Sequence, residues 1–151
     1  MERGNHTESY QVQFVSHNTT QEGYVEYLIK VTAPGNHIFH IRDRYSRMRS
    51  FQSQVKKQFN LATFNGLPAF PPKKAFGSKA PEFLNGRSIQ LQQFFNSFLQ
   101  NKDVLKQAEN YIIVYFQEHA ADEQSRQKLK EYMQYKENKL KAGAGAAGIA
   151  P

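Results

Sequence analysis

The sequence predicts an α+β fold, in which a three-stranded antiparallel sheet packs against a helical subdomain with a Pro-rich loop between two helices. Three observations predict this fold. Apolar and polar residues alternate up to about residue 42, apolar residues recur at steps of three and four from residue 45 onward, and three prolines interrupt the helical part between residues 67 and 72.

The first 42 residues carry the pattern of three strands with short connections. Residues 10–17 and 24–32 alternate between apolar and polar side chains, which is typical of half-buried strands. The Pro-Gly-Asn sequence at residues 34–36 predicts a turn, and a third strand follows at residues 38–42. Strands joined by such short connections pair as an antiparallel sheet.

The pattern changes to helical spacing at residue 45. An amphipathic helix is predicted over residues 45–59 and a second helix after Pro81, a residue that favours the first turn of a helix. Residues 103–107 and 111–116 are predicted as two short closing helices. The residues expected to face the core are Met48, Phe51, Val55 and Phe59 in the first helix and Leu91, Phe94, Phe95 and Phe98 in the second.

Length and composition favour one domain with tails. The chain has 151 residues, 39% of them hydrophobic, and no cysteine, which excludes disulfides, thiolate metal sites and a cysteine nucleophile. It shows neither an export signal nor a run of about 18 apolar residues, so any membrane contact should be peripheral. We expect a flexible leader (1–9), a domain (10–118), a charged C-terminal helix (119–141) and a disordered Ala/Gly tail (142–151).

The C-terminal helix carries a short apolar stripe, formed by Leu129, Tyr132, Met133 and Leu140. This stripe is expected either to pack on the domain or to fray in solvent. A coiled coil with a protein partner is the third alternative, although the stripe spans only about three turns.

The positive charge is concentrated in the middle third of the chain. The net charge is +7 overall, whereas residues 42–87 contain ten basic residues and two acidic ones. The basic residues are Arg42, Arg44, Arg47, Arg49, Lys56, Lys57, Lys73, Lys74, Lys79 and Arg87. This distribution implies a polyanionic partner, which could be an anionic lipid, a nucleic acid or an acidic protein.

Residues 67–72 read Leu-Pro-Ala-Phe-Pro-Pro and precede two lysines. Prolines fix φ and favour extended neighbours, so this segment is predicted to be a stiff polyproline-like arm. The arm would hold Lys73 and Lys74 at a fixed place on the surface, followed by the apolar Ala75 and Phe76. Lysines next to apolar residues suit a phosphate group that lies at the boundary of an apolar phase. The alternatives are an ordinary loop with solvated lysines and an SH3 ligand of the minimal PxxP pattern.

Three motifs in order resemble the phox-homology (PX) domain of sorting nexins. They are the Arg-Tyr-Ser sequence at residues 44–46, the proline arm with its lysine at residues 67–73, and the segment 87–94 that begins with an arginine. The resemblance covers about residues 10–118. It implies a PX-type fold that binds a phosphoinositide, most specifically phosphatidylinositol 3-phosphate.

The resemblance also implies a role for each site residue. Arg44 would bind the 3-phosphate, Tyr45 would pack against the inositol ring and Ser46 would add a polar contact. Lys73 would meet the 1-phosphate and Arg87 would hold ring hydroxyls. Read from the residue pattern alone, Tyr45 fits the core of a helix equally well, and Arg87 fits a solvated helix position.

Two departures from the family pattern affect these expectations. Arg47 and Met48 stand where many members have an acidic residue and Phe. Met48 can fill a core position adaptably, whereas Arg47 adds charge near the pocket and leaves room for more highly phosphorylated lipids. The lysine that contacts the 1-phosphate is Lys73 or its neighbour Lys74.

The resulting functional hypothesis is a phosphoinositide-binding module without enzymatic activity or a cofactor, which brings its chain from the cytoplasm to endosomal membranes. Membrane contact is expected through Lys74, Ala75, Phe76 and Lys79, with Phe76 either entering the bilayer interface or folding back onto the core. The alternatives are a nucleic-acid-binding basic domain and a degenerate PX fold that binds protein.

A metal site and an active site are not predicted. His37 and His40 are three residues apart in a strand, which places their side chains on opposite faces. No Ser/His/Asp set, carboxylate pair or Gly-rich phosphate loop is recognisable in the sequence.

Overall fold

A computed structural model describes residues 9–60, 67–74 and 79–149, with side chains up to residue 143. The elements in chain order are β1 (Gln11–Thr19), β2 (Val25–Ala33), β3 (His37–Arg44), α1 (Tyr45–Phe59), α2 (Pro81–Gln100), α3 (Lys102–His119) and α4 (Glu123–Ile149). The predicted α+β class and the three-stranded antiparallel sheet are confirmed. Pro81 occupies the first turn of α2, as its fixed φ favours.

The strands pair in the order β1-β2-β3, and a bulge between Phe14 and Ser16 interrupts β1. The turn between β2 and β3 has Gly35 at φ +82° and Asn36 at φ +64°. A Cβ atom at Gly35 would lie 2.7 Å from the ring of Tyr135 on α4. Glycine at this position therefore allows both the left-handed turn and the close approach of α4 to the sheet.

The predicted core residues of the two main helices are confirmed. Those of α2 are buried, as are those of α1 except Phe59, which is partly buried. They pack against the inward-facing residues of the sheet in one hydrophobic cluster, which also includes Leu129 and Tyr132 of α4. The C-terminal helix therefore packs on the domain, while Met133 and Leu140 of the same stripe are exposed.

Amide side chains on one face of α2 cover the outer edge of β1. Asn96 accepts a hydrogen bond from the Val12 N–H at 2.8 Å and donates one to the Val12 carbonyl at 3.1 Å. Gln92 accepts from the Phe14 N–H, and Gln100 donates to the Tyr10 carbonyl. Three side chains spaced four residues apart thus satisfy backbone groups of an edge strand and fix α2 against the sheet.

Two expectations about helices were wrong. Residues 102–119 form one continuous helix, α3, instead of two short ones, because its N-terminus is capped and no residue between 107 and 111 ends the helix. The Asn101 side chain caps it by accepting the N–H groups of Asp103 and Val104. α4 continues to Ile149, beyond the predicted end at residue 141 and into the predicted disordered tail, where alanines favour helix.

Within the part of the chain that the structure describes, no helix is both long enough and apolar enough to cross a lipid bilayer.

Candidate functional site

A pocket of about 260 Å³ lies where the turn between β1 and β2, the junction of β3 with α1, and the first turns of α2 meet. The sequence motifs at residues 44–46 and 87 come together here, although they are about forty residues apart in the chain. The polar part of its wall comprises Tyr24, Tyr27, Arg44, Tyr45, Ser46, Lys79 and Arg87.

Arg44 is the last residue of β3 and directly precedes the first turn of α1. That first turn has neither a side-chain cap from Arg44 nor an acidic residue of its own, so its N–H groups can bind an anion. The Arg44 guanidinium lies 4.6 Å from the centre of the Tyr24 ring, and its Nε atom is buried without a hydrogen-bond partner in the described chain. The residue is therefore positioned to bind an anion.

The neighbouring Asp43 anchors the strand end that carries Arg44. Its Oδ1 accepts the Arg44 N–H at 2.8 Å, its Oδ2 accepts the Tyr115 hydroxyl at 2.6 Å, and His119 Nε2 lies 3.5 Å from Oδ2. Burial raises the pKa of Asp43, and the Tyr115 hydroxyl and His119 oppose this shift only in part. Sequence reasoning missed this residue, although its place two residues after the buried Ile41 marks it as inward-facing.

Arg87 is buried, with 7% of its surface exposed, so it is not a solvated helix residue. Its Nη2 donates to the Pro72 carbonyl at 2.7 Å, and its guanidinium lies 3.7 Å from the Tyr45 ring centre and 4.5 Å from that of Phe83. The Tyr45 hydroxyl donates to the Pro71 carbonyl. Two predicted site residues thus also hold the proline arm in place, while the Tyr45 ring still forms part of the pocket wall.

The proline arm packs on its own domain. Residues 67–74 are neither helix nor strand, Leu67 and Phe70 pack against the hydrophobic core, and Pro71 is buried. The Phe70 ring contacts Phe94 edge-on at a centroid distance of 5.1 Å. The PxxP pattern is therefore occupied by contacts within the fold, which disfavours its use as an SH3 ligand.

The lysines near the arm differ in their positions. Lys79 lines the pocket, and a Cβ atom at Gly23 would lie 3.8 Å from its Nζ. Lys73 is exposed and is not among the residues that line the pocket, and the Lys74 Nζ lies 4.5 Å from the Phe83 ring centre. Ala75 and Phe76, which were assigned to membrane contact, lie outside the described residues.

Arg47 does not line this pocket. It lines an adjacent cleft of about 600 Å³ between α1 and α3, which meets the smaller pocket at Arg44 and Ser46. The extra charge that the sequence placed near the site therefore lies beside the pocket and not in it.

The described residues contain four buried side-chain polar atoms without a hydrogen-bond partner: Thr20 Oγ1, the Tyr27 hydroxyl, Arg44 Nε and Arg87 Nε. The last three belong to residues of the pocket wall, and Thr20 lies in the adjoining turn. Buried polar groups are normally hydrogen-bonded in native proteins, so their concentration here requires an explanation. The explanation that we consider is a polar ligand.

The sequence predicted the place in the pocket wall neither of Tyr27 and Lys79 nor of Gly23, Tyr24, Val25 and Leu84. Tyr27 reads as an ordinary inward-facing strand residue, and Lys79 lies outside the three motifs. Within the described residues, no group of three His, Cys, Asp or Glu side chains is arranged to hold a metal ion.

Comparisons with known proteins identify the family. The family model for the PX domain matches residues 31–119. Sorting nexin-17 of Homo sapiens is 37% identical over 78 residues, and sorting nexin-17 of Danio rerio is 36% identical over 78 residues. Each alignment covers 52% of this chain and only 15% of the relative, so the similarity concerns a small part of those proteins.

Two solved structures share the fold. A designed CISK-PX domain superposes with a TM-score of 0.57 at 21% identity, covering 70% of this chain and 96% of that one. The tandem PX-PH domains of Bem3 from Saccharomyces cerevisiae give a TM-score of 0.50 at 19% identity, and the superposition covers 72% of this chain and 52% of that one. From the family match, which spans more than half of its residues, the chain belongs to the PX domain family, whose members are phosphoinositide-binding modules of membrane trafficking.

Proposed function

We propose that this chain binds phosphatidylinositol 3-phosphate in the pocket between Arg44 and Arg87 and thereby recruits its protein to endosomal membranes. The observation that carries the proposal is the convergence of unpartnered buried polar atoms on one small pocket with three cationic side chains. A phosphorylated inositol ring supplies acceptors for all of these groups. The role is that of a binding module and not of an enzyme.

Arg44 is assigned to the 3-phosphate. A guanidinium presents a planar fork of donors that matches phosphate oxygens, and the uncapped N-terminus of α1 adds favourable potential at the same place. Ser46, whose hydroxyl belongs to the same wall, is assigned a polar contact. These groups suit a doubly charged phosphate monoester better than any others in the pocket.

Lys79 is assigned to the 1-phosphate, in place of Lys73. A lysine is a compact point charge, which is appropriate for a singly charged phosphodiester. The position of Lys79 in the pocket wall supports this choice, because Lys73 does not line the pocket. The role that the family pattern implies for Lys73 stays a prediction, which paired variants can test.

The location of Arg47 supports selectivity for the monophosphate. An additional phosphate on the inositol ring needs a cation within the pocket, and Arg47 lies in the adjacent cleft. The pocket itself contains three cationic side chains, and one of them, Arg87, already donates to a backbone carbonyl. We therefore expect phosphatidylinositol 3-phosphate to bind more tightly than its bisphosphorylated relatives.

Phe76, which lies outside the described residues, is proposed to enter the bilayer interface. Burying a Phe side chain contributes about 1.5–3 kcal/mol. Phe76→Gln should therefore lower affinity for vesicles about tenfold, while affinity for soluble inositol 1,3-bisphosphate and the melting temperature stay nearly unchanged. A large fall in melting temperature would show instead that Phe76 packs in the core.

Vesicle sedimentation tests the function directly. Vesicles should contain phosphatidylinositol, its 3-phosphate, its 4-phosphate or its 4,5-bisphosphate, with phosphatidylserine adjusted to give equal surface charge. Preference for the 3-phosphate at equal charge supports the proposal, and equal binding to all four would contradict it. Single-stranded RNA serves as a competitor, because a nucleic-acid-binding domain would release the vesicles when RNA is added.

A further inference from the structure

Asp43 and His119 form a pair of titratable side chains that is linked to Arg44 by a hydrogen bond. Asp43 lies near the end of β3 and His119 is the last residue of α3, and the His119 Nε2 atom lies 3.5 Å from the Asp43 Oδ2 atom. The Asp43 side chain is 1% exposed, whereas the His119 side chain is 18% exposed and lines the cleft of about 600 Å³. The pair can therefore exchange a proton with solvent through the imidazole.

The hydrogen bonds of the two side chains show that the pair needs a proton. The Asp43 carboxylate accepts the Arg44 N–H at Oδ1 and the Tyr115 hydroxyl at Oδ2. His119 Nδ1 lies 2.9 Å from the Tyr115 carbonyl oxygen, which can only accept, so Nδ1 carries a hydrogen. In a neutral imidazole of this form Nε2 is an acceptor. Two acceptors would then face each other, so the 3.5 Å approach is favourable only when the pair holds a proton.

The charged and titratable groups that face the pair come from three elements: Arg44 from β3, Arg47 from α1, and Tyr115 and Glu118 from α3. Burial raises the pKa of Asp43, while the Tyr115 hydroxyl and the charges of His119 and Arg47 oppose this shift. Histidine is the side chain whose charge ordinarily changes between about pH 5 and pH 8. The pair is therefore expected to gain and lose one proton in this range.

Two effects link this proton to anion binding at Arg44. The pair is neutral when it holds the proton and carries a charge of −1 when it does not, and a negative charge close to Arg44 opposes the binding of a phosphate. Loss of the proton also removes the attraction between α3 and the carboxylate that holds the Arg44 N–H. Both effects have the same sign, so the protonated pair favours a bound anion.

We propose that His119 is a positioning residue that couples phosphoinositide binding at Arg44 to pH, through a proton that it shares with Asp43. This inference rests on the proposed function and adds a regulation of the same site. His119 lines the adjacent cleft and not the pocket, so it acts through Asp43 and not by touching the lipid. The head group binds more tightly when the pair is protonated, and bound lipid in turn favours the protonated pair.

Affinity for soluble inositol 1,3-bisphosphate at two pH values tests the proposal. The ligand itself titrates, because the second ionisation of a phosphate monoester lies near pH 6, so wild type and variant are compared at the same pH. Gln at position 119 leaves the Asp43 charge without a proton at every pH. The wild type should therefore bind about fivefold more tightly than His119→Gln at about pH 5.5 and nearly equally at about pH 8. Titration calorimetry measures the affinities, and thermal unfolding verifies the fold.

His40→Gln is the matched control for the loss of a histidine. His40 lies on the same strand as Asp43 but lines a different groove, together with Asp122 and Lys128. This variant keeps the pair intact, so its affinity should follow that of the wild type at both pH values.

Asp43→Asn tests the other member of the pair without removing its shape. The amide N–H of an asparagine can donate to the neutral His119 Nε2, so the approach of the two side chains no longer needs a proton. This variant should therefore vary with pH only as much as His119→Gln does. If it keeps the pH dependence of the wild type, the pair is not the sensor and the inference is overturned.

Nitrogen-15 spectra of the wild-type imidazoles give a second readout, which holds even if a variant does not fold. The neutral form of His119 should carry its hydrogen on Nδ1, because Nδ1 donates to the Tyr115 carbonyl. A neutral His119 with its hydrogen on Nε2 would overturn the inference, because Nε2 could then donate to Asp43 at every pH.

The outcomes separate the inference from the function on which it rests. If the wild type binds inositol 1,3-bisphosphate at neither pH, both are overturned. If it binds, and its affinity relative to His119→Gln is the same at the two pH values, the inference alone is overturned. A loss of pH dependence in His40→Gln as well would also overturn it, because the titration would then not belong to His119.

Discussion

Two clusters of buried or partly buried polar side chains differ in how completely their polar atoms are hydrogen-bonded, and the difference separates binding from stability in this domain. The pocket cluster comprises Tyr27, Arg44 and Arg87, each with a buried polar atom that has no partner in the described chain. The docking cluster joins β1, α3 and α4 and comprises Tyr10, Glu109, Tyr132 and Lys136.

In the docking cluster every functional group is bonded. Glu109 accepts the Tyr10 hydroxyl at 2.6 Å, the Tyr132 hydroxyl at 3.1 Å and the Lys136 ammonium at 2.7 Å, and the two hydroxyls are 2.7 Å apart. Burial favours the protonated form of Glu109, but Lys136 and the two hydroxyls outweigh this effect and lower its pKa. A satisfied network of this kind stabilises the docking of α4.

The difference teaches where to look for function. A fully hydrogen-bonded network stabilises the protein without any ligand. Unpartnered buried groups instead lower the free energy of unfolding until a ligand forms hydrogen bonds with them. The comparison therefore predicts that a change at Arg44 affects binding and leaves stability intact, and that changes in the docking cluster do the reverse. Arg87 should affect both, because its Nη2 also donates to the Pro72 carbonyl.

The largest expected effect is that of Arg44→Ala on lipid binding. Charge-assisted hydrogen bonds contribute roughly 1.5–3 kcal/mol each, so losing two of them should lower affinity for 3-phosphoinositide vesicles about a hundredfold. The melting temperature should change little. Arg49→Ala is the matched control, because Arg49 is an exposed arginine of α1 that lies outside the pocket wall. Unchanged vesicle binding by Arg44→Ala would contradict the assignment of the pocket.

Glu109→Ala should give the opposite pattern. It leaves Lys136 and two buried hydroxyls without their shared acceptor, which should lower the free energy of unfolding by about 2 kcal/mol. Denaturant unfolding measures this loss, and affinity for inositol 1,3-bisphosphate should stay within twofold, roughly the experimental scatter. If binding fell along with stability, the two clusters would be coupled and the comparison would not hold.

A smaller effect separates the two lysines. Lys79→Gln should lower affinity for soluble inositol 1,3-bisphosphate about tenfold, because it removes one charge-assisted bond within the pocket. Lys73→Gln removes the same charge from an exposed residue outside the wall and should have a much smaller effect. The reverse ranking would restore Lys73 as the ligand of the 1-phosphate.

The smallest expected effect is the pH dependence of the docking cluster. The pKa of Glu109 is lower in the folded protein than its usual value of 4.5, so the carboxylate stabilises the fold above that value. This contribution is lost as the pH falls through the folded-state pKa. The difference in unfolding free energy between wild type and Glu109→Gln should therefore shrink below about pH 4.5. A difference that is constant with pH would assign the stabilisation to packing.

The sequence predicted the helices of this domain where local spacing determines them. The amphipathic period of α1 and the proline at the start of α2 locate those helices correctly. The prediction of two short helices at residues 103–107 and 111–116 was wrong because the three residues between them do not end a helix, and Ala108 is buried in the same core as the residues on either side, so one helix, α3, spans both segments. The end of α4 was misjudged because an Ala/Gly composition does not distinguish a helix from a coil.

By itself, the sequence determined the order of three strands and two main helices, and it identified Arg44, Tyr45, Ser46 and Arg87 as residues that belong together. Each of these residues belongs to a short contiguous motif, which can be recognised from the sequence of that segment alone. Only the tertiary structure decided that Lys79 lines the pocket while Lys73 and Arg47 do not. Likewise, only the structure showed that the buried hydroxyl of Tyr27, a residue of the pocket wall, has no hydrogen-bond partner in the described chain. Such facts depend on which distant segments meet, and residue spacing along the chain does not record them.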